Sequence, residues 1–173
     1  KEEKEYILII QLYNEKKVSR ANEFITSLEK NLAHPRIKEI VIFYDGTSAE
    51  SRNHVFFKKI QDKALKFIYK PGRLTYKHAF EFANKNYPKQ NIIVANADIY
   101  FNETLGKLDY VDLLSAMIAL TRWNMMHDGS IKLAFLEKHP HKSFISQDVW
   151  IFKTPLKIDF RCEFEMGLNH CDS

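Results

Sequence analysis

The chain has 173 residues, enough for one domain with a single buried core and too few for two ordinary ones. Hydrophobic residues make up 45% and charged residues 28%, a balance that excludes a disordered chain. The net charge of +4 comes from lysines and acids that alternate along the chain instead of forming a basic block, which argues against nucleic acid as the partner.

The longest apolar runs, such as Tyr6–Ile10 and Ile40–Tyr44, fall well short of the roughly 20 residues needed to cross a bilayer, so no transmembrane segment is expected. The opening Lys1–Glu5 is charged where a secretion signal needs an apolar centre. Cys162 and Cys171 are too few for a disulfide scaffold, and together these features predict a reduced, cytoplasmic setting.

Tyr6–Leu12 is a continuous apolar run, the pattern of a strand buried on both faces, and it ends at Asn14-Glu15-Lys16-Lys17. A helix follows, with Ser19 as its cap and Phe24, Ile25, Leu28 and Leu32 on its apolar face, until His34-Pro35 stops it. Ile37–Tyr44 predicts a second buried strand closed by Asp45-Gly46. A polar helix around His54–Lys63 leads to a shorter strand, Leu65–Tyr69, ended by Pro71-Gly72. Thr75 caps a third helix carrying Ala79, Phe80 and Ala83, and Asn91–Ala95 is the next core strand.

Beyond Asn102 a short helix is expected near Tyr110–Ser115, then strands at Met117–Trp123, Ile131–Phe135 and Val149–Phe152. Strands alternating with helices imply right-handed crossovers, hence an α/β fold with a mixed, mainly parallel central sheet flanked by helices. The later strands predict a partly antiparallel extension of that sheet.

In an open parallel sheet, ligands bind beyond the carboxyl ends of the strands. Those ends carry Tyr13, Asn14 and Glu15, then Asp45, then Arg73, then Asn96-Ala97-Asp98. The five glycines form neither a G-x-G-x-x-G turn nor a G-x-x-x-x-G-K-[ST] phosphate loop. A nucleotide diphosphate bound here would lack a backbone cradle, and a divalent cation on a carboxylate is the natural substitute. Asn96 and Asp98 are two apart and project to the same side of an extended segment, so both can address one bound ligand. Tyr13 and Tyr44, at strand ends, are the tyrosines expected to stack on a nucleobase. Cys162, His170 and Cys171, with His139 and His141, have no paired zinc-ligand spacing.

With its flanks, Asn96-Ala97-Asp98 resembles the Asp-X-Asp region of GT-A glycosyltransferases, which move sugars from nucleotide-sugar donors. Glu39–Gly46 is similar to the family's strand that delivers the base-binding aspartate. The strand ending in Tyr13-Asn14-Glu15, Glu39–Gly46 and Asn91–Asp98 occur in the family's order and approximate spacing. The C-terminal third resembles a smaller group of such enzymes from viral and bacterial genomes, through Leu120–Trp123, Ser146–Phe152 and the stretch from Gly167 to Asp172.

The resemblance implies a single GT-A domain over residues 1–173, with a nucleotide-binding half of about 1–102 and an acceptor-side half of about 103–173. It implies that Asp45 meets the nucleobase, Arg73 the base or phosphates, Asn96 the ribose or metal shell, and Asp98 a Mn²⁺ or Mg²⁺ ion. Tyr13, Asn14 and Arg122 fall at the donor, and Asp148 and Asp172 are acceptor-side carboxylates, either of which could act as a base. The expected partners are a nucleoside-diphosphate sugar, UDP before GDP, and a hydroxyl on a glycan, lipid or protein. Asn at residue 96, where the common motif has Asp, lowers the site's negative charge. Two alternatives stay open: a non-catalytic sugar-nucleotide-binding module, and a nucleotidyltransferase. The latter ordinarily has a glycine-rich loop after the first strand, which Tyr13–Lys17 lacks.

Overall fold

The computed structural model describes residues 3–47, 65–133, 147–159, 161 and 163–167. In chain order the elements are β1 (Tyr6–Tyr13), α1 (Val18–Leu32), β2 (Ile37–Asp45), β3 (Leu65–Tyr69), α2 (Tyr76–Asn86) and β4 (Asn91–Ala95). A 3₁₀ run Glu103–Tyr110 follows, then β5 (Ile118–Leu120), β6 (Trp123–Met125), β7 (Ile131–Leu133) and β8 (Val149–Lys153). Six strands form one sheet in the order β3-β2-β1-β4-β8-β5, while β6 and β7 make a separate hairpin. The first four strands pair in parallel and β8 runs antiparallel to both β4 and β5, giving the mixed, mainly parallel sheet the sequence predicts.

Alternation along the central strands divides the core into two layers. Leu8, Ile10 and Leu12 of β1 pack with Ile40, Ile42 and Ile93 against Phe24 and Leu28 of α1. Ile7 and Ile9 pack with Val41, Phe43, Ile92 and Val94 against Ala79, Phe80 and Ala83 of α2. This two-sided burial is why the strands read as unbroken apolar runs. Thr75 caps α2 as expected, its hydroxyl accepting from the His78 N–H at 3.1 Å.

Several local expectations differ from what is found. Lys17, not Ser19, precedes α1, and no side chain caps that end; Ser19 lies inside the first turn. The helix expected at Tyr110–Ser115 is replaced by the earlier 3₁₀ run, which Asn102 starts by accepting from Thr104 N–H. Asp112 then takes the Leu114 N–H at 2.9 Å and the Ser115 hydroxyl at 2.9 Å, and this local turn competes with helix formation. The single strand expected at Met117–Trp123 is two strands in different sheets, broken at Thr121-Arg122. The expected strand Ile131–Phe135 is found at Ile131–Leu133; its last two residues, and the helix expected around His54–Lys63, lie outside the described residues. Among the described residues no helix is long and apolar enough to cross a membrane.

Asn31, buried near the end of α1, ties the segment after β4 in place. Its Nδ2 donates to the Ile99 carbonyl at 2.9 Å and its Oδ1 accepts from the Phe101 N–H at 3.0 Å. Asn31→Ala would leave both backbone groups without these partners, so a loss of about 2–3 kcal/mol is expected in urea unfolding.

Candidate functional site

The parallel strand order β3-β2-β1-β4 places a topological switch point between β1 and β4, where connections leave in opposite directions and a crevice opens at the carboxyl ends. Register aligns the rim: Tyr13 pairs with Asp45, and Tyr44 with Tyr69. Because β8 is antiparallel to β4, with Ala95 opposite Val149, the start of β8 delivers Asp148 to the place where β4 ends in Asn96. An antiparallel neighbour thus adds a residue from far along the chain to the rim of a parallel sheet.

Side chains from several strands gather along this edge. Asp45 Oδ1 accepts from the Gly72 N–H at 2.7 Å, and Gln11 spans the same turn, donating to the Gly72 carbonyl and accepting from the Leu74 N–H, each at 2.9 Å. Gly72 has φ 88°, a left-handed conformation that glycine adopts without strain. The turn so held presents Arg73, whose Nη1 donates to the Met166 carbonyl at 3.2 Å. At Gly167, φ is 75°, and a Cβ there would lie 3.7 Å from Arg73 Nη1 and 3.9 Å from Asn96 Oδ1. Arg73 and Asn96 therefore approach each other across bare backbone.

Asn96 Nδ2 donates to Asp148 Oδ1 at 3.2 Å, and Arg122 Nη1 reaches the same oxygen at 3.3 Å. Asp148 is only 7% exposed. A carboxylate this buried needs donors around it, and these two are among them.

A second group lies toward α1. Arg20 Nη1 is 2.9 Å from Asp98 Oδ2 and 2.6 Å from Glu23 Oε2, with the guanidinium 5.1 Å from the Phe24 ring centre. Tyr13 meets Phe24 edge-on and donates to Glu15 at 3.1 Å. Partial burial, then the bond to Glu15, raises the Tyr13 phenol above its ordinary pKa, so it stays protonated at neutral pH. Asp98 and Asn96 do not share one side of an extended segment. The chain turns after Ala95, with Ile99 N–H bonding the Asn96 carbonyl, and the two side chains take different partners.

Asn96, Arg122 and Asp148 are thus hydrogen-bonded together, Arg73 and Asp45 are placed by the Gly72 turn on the other side of Gly167, and Asp98 stands in the adjoining group with Arg20. Tyr13 and Asn14 lie exposed at the end of β1. Tyr44 is 2% exposed, packed edge-on to Tyr69, and so is closed to base stacking in this conformation. Asp172 lies outside the described residues. Sequence reasoning missed Gln11 and Arg20. A lone polar residue inside an apolar strand was the signal for the first, and a cation in the first turn of the helix following that strand for the second.

The fold is the GT-A, or nucleotide-diphospho-sugar transferase, fold. A mannosyltransferase from Pyrobaculum calidifontis, solved with GDP-mannose and Mn²⁺, superposes with a TM-score of 0.60 at 14% identity. That match covers 99% of this chain and 50% of the enzyme, so the chain spans about half its length. A 4-diphosphocytidyl-2C-methyl-D-erythritol synthase from Anaerococcus prevotii gives 0.53 at 14% identity, covering 87% of this chain and 70% of the other. TarS from S. aureus gives 0.50 at 16%, covering 97% and 52%. No family model matches the chain, and no curated protein matches it.

The rim offers a divalent cation little on its own: among the described residues no three His, Cys, Asp or Glu side chains gather to hold one. Asp98 is 19% exposed at the side chain and supplies one hard-oxygen carboxylate, already facing Arg20. Such a donor set suits Mg²⁺ or Mn²⁺ when phosphate oxygens complete the shell, the usual arrangement for ions that keep only one or two protein carboxylates.

Proposed function

We propose that this domain transfers a sugar from a nucleoside diphosphate sugar, UDP before GDP, to a hydroxyl acceptor. The observation that carries the proposal is the gathering of Asp45, Arg73, Asn96, Arg122 and Asp148 along the switch-point rim, the last three hydrogen-bonded together, with Asp98 beside them. In this proposal residues 1–102 hold the donor and 103–173 face the acceptor, which is a glycan, lipid or protein hydroxyl.

Each residue has a role its chemistry allows. Asp45 keeps one oxygen on Gly72 and offers the other to a base N–H, while exposed Tyr13 and Asn14 border the base. Arg73 and Arg122 bring guanidinium forks to the diphosphate. Asn96 turns its carbonyl oxygen toward a ribose hydroxyl or a metal-bound water. Asp98, with the diphosphate, would hold Mn²⁺ or Mg²⁺, whose positive charge opposes the charge building on the leaving group.

For proton removal from the acceptor the better candidate is Asp172. Asp148 is buried and engaged by two donors, and a general base needs a reachable, weakly solvated oxygen.

The fold likeness to a diphosphocytidyl-methylerythritol synthase keeps nucleotidyl transfer as a second possibility. Product analysis separates them. Incubating the protein with UDP-glucose, UDP-N-acetylglucosamine and GDP-mannose, each with Mn²⁺, should release nucleoside diphosphate. Release of pyrophosphate from a nucleoside triphosphate and a sugar phosphate would instead make it a nucleotidyltransferase. Binding without turnover would make it a binding module, and no binding of any nucleotide would refute the proposal.

A further inference from the structure

We propose that Asp148 is a positioning residue whose buried carboxylate orients the Asn96 amide, and that this pairing is why residue 96 is an amide where the Asp-X-Asp pattern has an acid. The positioning half rests on the reading of Asn96 as a donor-facing residue; the pairing itself does not.

The two residues meet through register. Ala95 opposite Val149 leaves 96 and 148 adjacent beyond the last ladder pair, and the Asn96 N–H also lies 3.4 Å from the Asp148 carbonyl. Position 148 is 7% exposed, so its carboxylate, which can only accept, must be met by donors. Arg122 Nη1 at 3.3 Å is one, and Asn96 Nδ2 at 3.2 Å is another. An aspartate at 96 would set two carboxylates against one another in this enclosed corner, an unfavourable like-charge contact.

Because Nδ2 is committed to Asp148, the amide cannot flip without facing its carbonyl oxygen to a carboxylate. Oδ1 is therefore held on the side of Gly167 and Arg73, where a Cβ on Gly167 would be 3.9 Å from it and 3.7 Å from Arg73 Nη1. The rim thus presents an acceptor beside a cationic donor. That pair suits a ligand carrying a hydroxyl close to an anionic oxygen.

An exchange of the two side chains tests this. Asn96→Asp should lower the melting temperature by about 4–8 °C at pH 7.5. The double variant Asn96→Asp/Asp148→Asn keeps one acid, one amide and Arg122, and should recover native stability. Kd for UDP with Mn²⁺, measured by calorimetry, should weaken about tenfold in Asn96→Asp and in Asp148→Ala, and return to within about threefold of native in the exchanged protein.

A double variant no more stable than Asn96→Asp overturns the pairing. Asp148→Ala that melts early yet binds UDP as the native protein does overturns the positioning role, leaving a purely structural carboxylate. Native protein that binds neither UDP nor GDP overturns the functional reading and the positioning role with it, while the melting cycle still decides the pairing.

Discussion

Replacing Asp98 by Ala is expected to lower Mn²⁺-dependent turnover of a UDP-sugar about a hundredfold or more, with little effect on folding. The magnitude follows from the chemistry: a departing diphosphate gathers negative charge, and losing one preorganised stabiliser of such charge typically costs about 100- to 1,000-fold. In the proposed site this role falls to Asp98, which faces Arg20 at the rim. Its ion pair with Arg20 is partly exposed, and such pairs contribute little to stability, so the melting temperature should move by no more than about 2 °C. Single-turnover rates against Mn²⁺ concentration measure the effect. A loss below about threefold would remove Asp98 from the mechanism.

Arg73→Ala is expected to weaken nucleotide binding by about 10- to 100-fold in calorimetry with UDP, the range for losing a charge-assisted hydrogen bond. Arg73→Lys should recover only part, because an ammonium restores the charge without the planar fork. The side chain is held in advance: Gln11 and Asp45 shape the turn, and the Met166 carbonyl receives its Nη1. Little ordering cost should therefore be incurred on binding. Unchanged affinity in both variants would place the diphosphate elsewhere.

Much of the frame is readable from local pattern. β1, β2 and β4 are uninterrupted apolar runs because both their faces are covered, and α1 and α2 repeat apolar residues at helical spacing because one face of each packs on the sheet. Asp45-Gly46 and Pro71-Gly72 mark turns that depend on a few bonded neighbours. The less regular second half was harder. At Asp112 a side-chain turn won over a helix, and the apolar run Met117–Trp123 was divided between two sheets, since short runs carry no record of which strand will pair with them.

The sequence by itself determined the order of the main elements and which edge of the sheet would carry Tyr13, Asp45, Arg73, Asn96 and Asp98, because alternation and turn chemistry are properties of adjacent residues. Only the tertiary structure decided the pairings. Asp148 faces Asn96 from 52 positions away, Arg20 faces Asp98 from a helix, and Gln11 holds Gly72 from 61 positions away. Each of these contacts depends on strand register and on how a helix seats against the sheet, and both are settled by packing across the whole core.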